Sequence, residues 1–174
     1  VDLSRVRQTE EPTGTAIITV SDDGENTIVV VPGANGALTE ADAEAALSKA
    51  GAGDILMLQL EIPAAVVEKA LHLAREKGAL SLLNVAPLTV DAVRLAALAD
   101  IVIANETEFA LLADVTTFDE KTLLSLHAKT GQTLVVTLGA EGVAAASDGA
   151  IQRAGGLSIK PVDTVGAGDT FSGY

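Results

Sequence analysis

The chain has 174 residues, which is long enough for one domain with a sizeable hydrophobic core. Its 24 acidic residues against 11 basic ones give a formal net charge of −13, and a surface that acidic argues against broad nucleic-acid binding because it repels a phosphate backbone. The sequence has no cysteine, which excludes disulfides, thiolate metal sites and a thiol nucleophile.

Signals for export or membrane insertion are absent from the sequence. No signal segment opens it, and no apolar run reaches the roughly 18 residues that a membrane-spanning helix needs. We therefore expect a soluble, cytoplasmic protein with no membrane partner. The chain begins at Val1 rather than at a methionine and stops at Tyr174, just inside a predicted helix. We expect it to be a fragment of a longer protein.

The first predicted element is a β-hairpin. Residues 15–21 and 27–31 are rich in β-branched side chains, and the short polar linker between them contains Asp23-Gly24, a typical hairpin signal. Both runs are almost continuously apolar, so both faces of the hairpin need cover. We expect a second subunit to pack on it.

The rest of the chain alternates between helices and strands. Thr39 and Asp42 resemble a capping box that begins a helix running to about residue 50. The further predicted helices cover residues 63–77, 90–98, 106–113 and 119–130. The predicted strands cover residues 54–60, 80–85, 101–104, 133–138, 142–147, 150–154 and 157–162, the first of them buried. This order indicates an α/β fold, a mostly parallel sheet with helices on both faces, to which the small hairpin is appended.

Polar residues or glycines stand at the carboxyl ends of five predicted strands. Ligands of open parallel sheets bind beyond these ends. The five residues are Glu61, Asn84, Asn105, Gly139 and Asp163. Loops are generally polar, so the pattern only indicates where a site would lie.

The segment from Asp163 to Asp169 is the strongest local signal. Gly166 and Gly168 leave the backbone bare, so that successive amide groups can turn towards one anion at the start of a predicted helix. Asp169, ionised in the first helical turn, is suited to accept a proton from a hydroxyl group that attacks a phosphate. A glycine-rich turn with an aspartate that caps a helix explains the same residues equally well.

A second motif, Asn105-Glu106-Thr107-Glu108, follows a predicted strand. An amide and two carboxylates could contact a phosphate chain and its Mg²⁺, which needs only one or two carboxylates from a protein. Taken alone, the motif is better explained as a helix start.

A third motif is a glycine-flanked turn after the predicted strand 133–138. Its residues are Thr137, Leu138, Gly139, Ala140, Glu141 and Gly142. The turn could bring a nucleotide close to the backbone, although a simple turn is the better explanation of these residues alone. It lacks the Lys-Ser/Thr of a P-loop, and no G-x-G-x-x-G occurs in the chain. His72 and His127 lie in predicted helices and have no partner with metal-ligand spacing.

The three motifs gain weight from their order. Asn-Glu-Thr-Glu, then Thr-Leu-Gly-x-x-Gly, then Asp-Thr-x-Gly-Ala-Gly-Asp resembles the series found in the ribokinase, or PfkB-type, family of carbohydrate kinases. Pro32-Gly33-Ala34-Asn35 and Leu58-Gln59-Leu60-Glu61 are also similar to that family. The resemblance implies that residues 1–174 form a single, partial ribokinase-like domain in which residues 13–33 are a lid hairpin.

The resemblance implies a role for each matching position in phosphoryl transfer. Asp169 would accept the proton of the sugar's terminal hydroxyl group, and Gly166, Ala167 and Gly168 would form the anion hole for the γ-phosphate. Asn105 would contact the phosphates of ATP. Glu108 would contact the hydration shell of Mg²⁺.

Further implied roles concern the ligands. Residues 137–142 would line the nucleotide site, and Glu61 would hold a sugar hydroxyl group. Asp163 and the carbonyl group of Val165 would help to bind K⁺. The lid hairpin would cover the sugar and form a homodimer contact.

The resemblance implies an ATP-dependent kinase that phosphorylates the terminal hydroxyl group of a pentose, with D-ribose, which gives ribose 5-phosphate, as the first candidate. The family's N-terminal sugar-gripping part and its C-terminal helices have no counterpart in this sequence. We therefore expect the chain alone to be inactive. The alternatives are a kinase for another sugar or for a nucleoside, and a catalytically incomplete fragment that is not an enzyme.

Overall fold

The structure is a computed structural model that describes residues 2–21, 26–159 and 166–174. The strands of the described chain are β1 Thr15–Val20, β2 Asn26–Val31, β3 Ile55–Leu58, β4 Leu80–Asn84, β5 Ile101–Asn105, β6 Thr133–Thr137, β7 Val143–Ser147 and β8 Ala150–Ala154. The α-helices are α1 Glu40–Ala46, α2 Ala64–Lys77, α3 Ala92–Ala96, α4 Glu106–Leu112, α5 Glu120–Thr130 and α6 Ala167–Gly173, and short 3-10 helices span Gly33–Ala37 and Gly139–Glu141.

β1 and β2 form the predicted hairpin. They pair in antiparallel fashion, with Thr15 opposite Val31 and Ile17 opposite Val29. The predicted turn, residues 22–25, lies outside the described residues. The side chains of Val29 and Val30 point to opposite faces because strand side chains alternate, and both are about half exposed. The hairpin therefore presents apolar side chains on both faces, as predicted.

β3 to β8 form one six-stranded sheet in sequence order. β3, β4, β5 and β6 pair in parallel, and β7 and β8 add two antiparallel strands at one side. The helices between the parallel strands provide the crossovers that parallel pairing requires. The prediction of an α/β fold with a mostly parallel sheet is confirmed.

Local sequence signals fix several helix ends. The capping box of α1 is present, since the Thr39 amide donates to Asp42 and the Asp42 amide donates back to the Thr39 hydroxyl group. α2 and α5 both end at a glycine in the left-handed region, Gly78 with φ 71° and Gly131 with φ 75°. α1 and α3 are shorter than predicted. None of the described helices is both long and apolar enough to cross a membrane.

The core lies on one face of the sheet. Leu83, Val102, Leu134 and Ala146 are paired across four neighbouring strands and are almost fully buried. The helix side chains of the same core cluster are Val67, Leu71, Ala92, Leu95, Ala96, Phe109 and Leu123. Because these come from α2, α3, α4 and α5, four helices cover this first face. α1 joins it through contacts with α2.

The second face of the sheet is covered less. Its β3 and β4 side chains include Ile55, Met57 and Leu80, which are 64%, 47% and 41% exposed. The prediction that β3 is buried is therefore wrong for one of its faces, because the packed helices α1 to α5 lie on the other. α6 reaches the second face at its carboxyl edge, where Ser172 contacts Asn84.

The predicted strand over residues 157–162 is wrong for its described part. Residues 157–159 belong to no strand, and Leu157 and Ile159 are exposed. The physical reason is the glycine pair before them. β8 ends before this pair, and Gly156 lies against the Ala140 carbonyl group rather than beside a strand. Residues 160–162 lie outside the described part.

Candidate functional site

The carboxyl ends of β4, β5 and β6 meet the first turn of α6 around a cavity of about 150 Å³. This is the edge at which the sequence predicts a site. The predicted site residues that line the cavity are Asn105, Glu108, Thr137, Gly166, Ala167, Gly168 and Asp169. Asn84 lines it as well. Side chains separated by up to 85 positions are thus brought together, although their roles remain a prediction.

The other predicted residues lie outside this cavity. Glu61 is exposed and follows β3, where the neighbouring Leu60 amide donates to the Ala86 carbonyl group at 2.9 Å. Leu138 and Glu141 line a separate cavity of about 580 Å³. Gly139, Ala140 and Gly142 lie in the same turn as those two residues. Asp163 and Val165, the predicted K⁺ ligands, lie outside the described residues.

Asn105 and Glu108 form a reciprocal cap at the start of α4. The Asn105 amide donates to Glu108 Oε2 at 2.7 Å, and the Glu108 amide donates to Asn105 Oδ1 at 2.8 Å. The interpretation of this motif as a helix start is therefore confirmed. A helix start does not exclude ligand binding by the same residues, since Asn105 and Glu108 also line the cavity.

The environment of Glu108 is unusual for a carboxyl group. Glu108 is only 8% exposed. Burial raises its pKa because the charged form loses water, while the hydrogen bond from the Asn105 amide acts in the opposite direction. A buried carboxylate of this kind gains from a nearby cation.

The glycine-flanked turn after β6 is closed by the Leu138 amide, which donates to the Gly142 carbonyl group at 2.8 Å. Gly142 has φ 100°, and a side chain there would lie 2.1 Å from the Ala154 carbonyl oxygen. A side chain on Gly156 would lie 2.2 Å from the Ala140 carbonyl oxygen. The glycines therefore allow two backbone segments to cross. This role of Gly156 was not predicted from the sequence. The only signal for it in the sequence was the glycine pair Gly155-Gly156.

α6 carries Asp169 in its first turn, after Gly166 in the left-handed region with φ 71°. Gln59 donates a hydrogen bond from Nε2 to Asp169 Oδ1. Asn84 donates from Nδ2 to Ser172 Oγ at 3.1 Å. Gln59 and Ser172 were not among the predicted site residues. The available signal for Gln59 was its place in the family-like segment Leu58-Gln59-Leu60-Glu61, and no pattern related either residue to its distant partner.

The side-chain oxygens that line the cavity suit a hydrated cation that prefers oxygen ligands. They include those of the Glu108 and Asp169 carboxyl groups and of the Asn105 amide. Among residues 2–21, 26–159 and 166–174, no cluster of three or more His, Cys, Asp or Glu side chains could enclose a metal ion. Mg²⁺ does not need such a cage, since it keeps several waters and uses one or two protein carboxylates together with phosphate oxygens.

Comparisons with known proteins agree with the family resemblance of the sequence. The family model described as pfkB family carbohydrate kinase matches residues 1–173. A ribokinase from Haemophilus influenzae is 36% identical over 168 residues, which cover 94% of this chain and 55% of that protein.

Two solved structures extend the comparison. An Arabidopsis thaliana ribokinase complexed with ribose and ATP matches with a TM-score of 0.76 at 31% identity, over 94% of this chain and 55% of that one. A double mutant of fructokinase from Vibrio cholerae, bound to fructose, ADP and potassium ion, matches with a TM-score of 0.72 at 25% identity, over 93% and 57%.

The chain spans somewhat more than half the length of the relatives it matches. The matched proteins are sugar kinases, namely ribokinases and a fructokinase. Since the family model covers residues 1–173 of 174, the chain belongs to the pfkB family of carbohydrate kinases.

Proposed function

We propose that the full-length protein containing this chain is an ATP-dependent sugar kinase that phosphorylates the terminal hydroxyl group of a pentose, with D-ribose as the first candidate and ribose 5-phosphate as the product. The observation that carries the proposal is the meeting of Asn105, Glu108 and Asp169 with the backbone of Gly166–Gly168 around one cavity. These residues come from two of the three family motifs, and Thr137 of the remaining motif lines the same cavity.

Asp169 is the proposed general base. Its carboxylate would take the proton of the sugar's terminal hydroxyl group as that oxygen attacks the γ-phosphate, and ADP would leave from the opposite side. The transfer is direct, with no phosphorylated enzyme intermediate, so the protein contributes positioning and charge stabilisation. Backbone amides of Gly166, Ala167 and Gly168 would stabilise the negative charge that develops on the transferred group.

Asn105 and Glu108 are proposed to serve the nucleotide and its metal. Asn105 would contact ATP phosphates. Bound Mg²⁺ would neutralise phosphate charge, and the buried Glu108 would hold its hydration shell. Their reciprocal cap orients both side chains at the edge of the cavity, which supports these roles.

The remaining ligand roles rest on the family resemblance. The turn formed by Thr137, Leu138, Gly139, Ala140, Glu141 and Gly142 would line the nucleotide site. Glu61 would bind a sugar hydroxyl group, and Asp163 with the carbonyl group of Val165 would bind an activating K⁺.

The hairpin within residues 13–33 is proposed to be the lid of a single, partial domain. Its exposed apolar side chains on two faces support this role, because such a hairpin gains stability when both faces are covered. One face would lie over the sugar. The other would contact a second subunit in a homodimer.

A substrate panel tests the proposal. Purified protein in its longest natural form that contains this chain would be mixed with ATP, Mg²⁺ and K⁺, and ADP release would be measured with D-ribose, fructose or a nucleoside. We expect D-ribose to give the highest kcat/KM. Highest activity with fructose or a nucleoside would favour the alternative within the family, which the fold similarity to a fructokinase keeps open. No sugar-dependent ADP release from the long form would contradict the proposal.

A non-enzymatic role is the second candidate for the 174-residue chain alone. It is supported by the coverage of only 55% of the matched ribokinase. Titration calorimetry of this chain with ATP–Mg²⁺ and with D-ribose tests it. Turnover by the chain alone at a rate typical of a kinase would exclude this candidate.

A further inference from the structure

Two amide side chains lie next to each other on the second face of the sheet, below α6. The last pair of β3 and β4 is Leu58 with Leu83, and Gln59 and Asn84 are the residues that follow these two in the chain. Leu58 and Leu60 pack into the core on the first face. Because side chains alternate, Gln59 lies on the opposite face, where Asn84 also lies.

The two amides contact two residues of α6 that share a helix face. Asp169 and Ser172 are three positions apart and are therefore neighbours on the helix surface. Gln59 Nε2 donates to Asp169 Oδ1, and Asn84 Nδ2 donates to Ser172 Oγ. Neighbouring strands thus bind neighbouring positions of the helix.

The contact at Ser172 continues into the glycine loop. The Ser172 hydroxyl group accepts from Asn84 at 3.1 Å and donates to the Gly168 carbonyl group at 2.9 Å. Asn84 is only 5% exposed, so its amide is held by the packed end of β4. This chain of hydrogen bonds connects the sheet to the backbone beside Asp169.

We propose that Gln59 is a positioning residue that orients the Asp169 carboxylate for proton transfer, while Asn84 seats α6 through Ser172. This inference rests on the proposed function, in which Asp169 is the base. A donor fixed on Oδ1 selects one orientation of the carboxylate and leaves Oδ2 for the sugar hydroxyl group.

The chemical type of Gln59 suits this role. A lysine or arginine at the same place would form an ion pair with Asp169. That ion pair would favour the ionised carboxylate and make it a weaker proton acceptor. A neutral amide donates one hydrogen bond without adding charge. The backbone next to Gln59 is held by the Leu60 amide, which donates to the carbonyl group of Ala86 in the segment that follows β4.

The test uses the longest natural form of the protein that contains this chain. Gln59→Met keeps the length of the side chain and removes the donor, and Gln59→Glu keeps the length and places a carboxylate against Asp169. We expect kcat to fall about 10- to 100-fold in both variants, as is typical when a reacting group is misplaced, with KM for sugar and ATP within twofold of wild type. Gln152→Met, on the exposed side of β8, removes a similar amide and is expected to keep the wild-type kcat.

A double-mutant cycle separates positioning from a structural effect. If Gln59 acts through Asp169, then Gln59→Met together with Asp169→Asn has the same kcat as Asp169→Asn alone. An additional loss in the double variant, or a kcat of either Gln59 variant within threefold of wild type, would overturn the inference. In that case a low activity of Asp169→Asn leaves the proposed base intact. If Asp169→Asn itself retains activity within tenfold of wild type, both the base and its positioning residue are wrong.

Discussion

Gly142 and Gly156 meet at a backbone crossing where neither position has room for a side chain. The Cβ atom that Gly142 lacks would lie 2.5 Å from the Gly156 amide nitrogen, and the one that Gly156 lacks would lie 3.2 Å from the Gly142 nitrogen. This crossing fixes the turn that is proposed to line the nucleotide site, and it does so next to the segment that leads towards α6.

Gly156→Ala is predicted to destabilise the protein. The added methyl group would lie 2.2 Å from the Ala140 carbonyl oxygen, so one backbone segment must move. We expect a loss of about 1–3 kcal/mol in the free energy of unfolding, as is usual for overpacking, and a higher KM for ATP. Urea denaturation and steady-state kinetics measure the two effects. Gly155→Ala is the matched control, because a side chain there meets nothing within 4 Å. Equal stability of the two variants would contradict the crossing.

Glu108→Gln is predicted to separate stability from activity. Burial raises the pKa of Glu108, so the native state keeps its proton to a higher pH than the unfolded chain does. The stability that this native-state proton contributes is present at low pH and is lost as pH rises through the raised pKa. At high pH the wild-type protein must bury the negative charge of the Glu108 carboxylate, and the glutamine of the variant carries no charge at any pH. The amide oxygen of that glutamine can still accept from the Asn105 amide.

We therefore expect the variant to gain stability over wild type at pH 8 and to lose that advantage near pH 4. Its kinase activity is expected to fall at least tenfold through weaker Mg²⁺ binding. Urea denaturation at the two pH values, with Glu106→Gln as an exposed control in the same turn, checks this. A stability difference that is independent of pH would contradict the prediction.

His127 joins the end of α5 to the turn between β7 and β8. Its Nδ1 lies 2.7 Å from the Gln132 carbonyl oxygen, and its Nε2 accepts from the Gly149 amide at 3.0 Å. This arrangement assigns the proton to Nδ1, since a carbonyl group can only accept. His127→Ala is predicted to lower the free energy of unfolding by about 1–3 kcal/mol, because two hydrogen bonds are lost, and to leave kcat unchanged. A kcat loss larger than tenfold in a folded variant would show that this part of the protein has a catalytic role.

Val29→Lys and Val30→Lys test the lid hairpin, since the two side chains lie on opposite faces. If one face covers the sugar and the other contacts a second subunit, then one variant raises the KM for D-ribose and the other shifts the protein from dimer to monomer. Light scattering and sugar titrations measure the two outcomes. A protein in which neither variant changes either property has no such lid.

Features that depend on residues close together in the chain could be predicted from the sequence. The helix start at Asn105–Glu108, the helix ends at Gly78 and Gly131, and the alternation of strands and helices follow from local signals. The site at the carboxyl edge follows from topology, since parallel strands bring their ends together.

What the sequence could not predict depends on contacts between distant residues. The bond between Gln59 and Asp169 joins positions 110 residues apart, and no local pattern indicates it. The exposure of Ile55 and Met57 depends on which helices cover the second face. A strand was predicted over residues 157–162, but residues 157–159 follow the close approach of Gly156 to Ala140 and belong to no strand.

Asp169→Asn in the longest natural form of the protein tests the proposed chemistry most directly. The change keeps the shape of the side chain and removes the proton acceptor, so we expect D-ribose-dependent ADP release to fall at least 100-fold, as is typical for the loss of a general base. Asp148→Asn is the matched control, because it makes the same change at an exposed turn with φ 51°, which asparagine tolerates. Activity of Asp169→Asn within tenfold of wild type would contradict the assignment of Asp169 as the base.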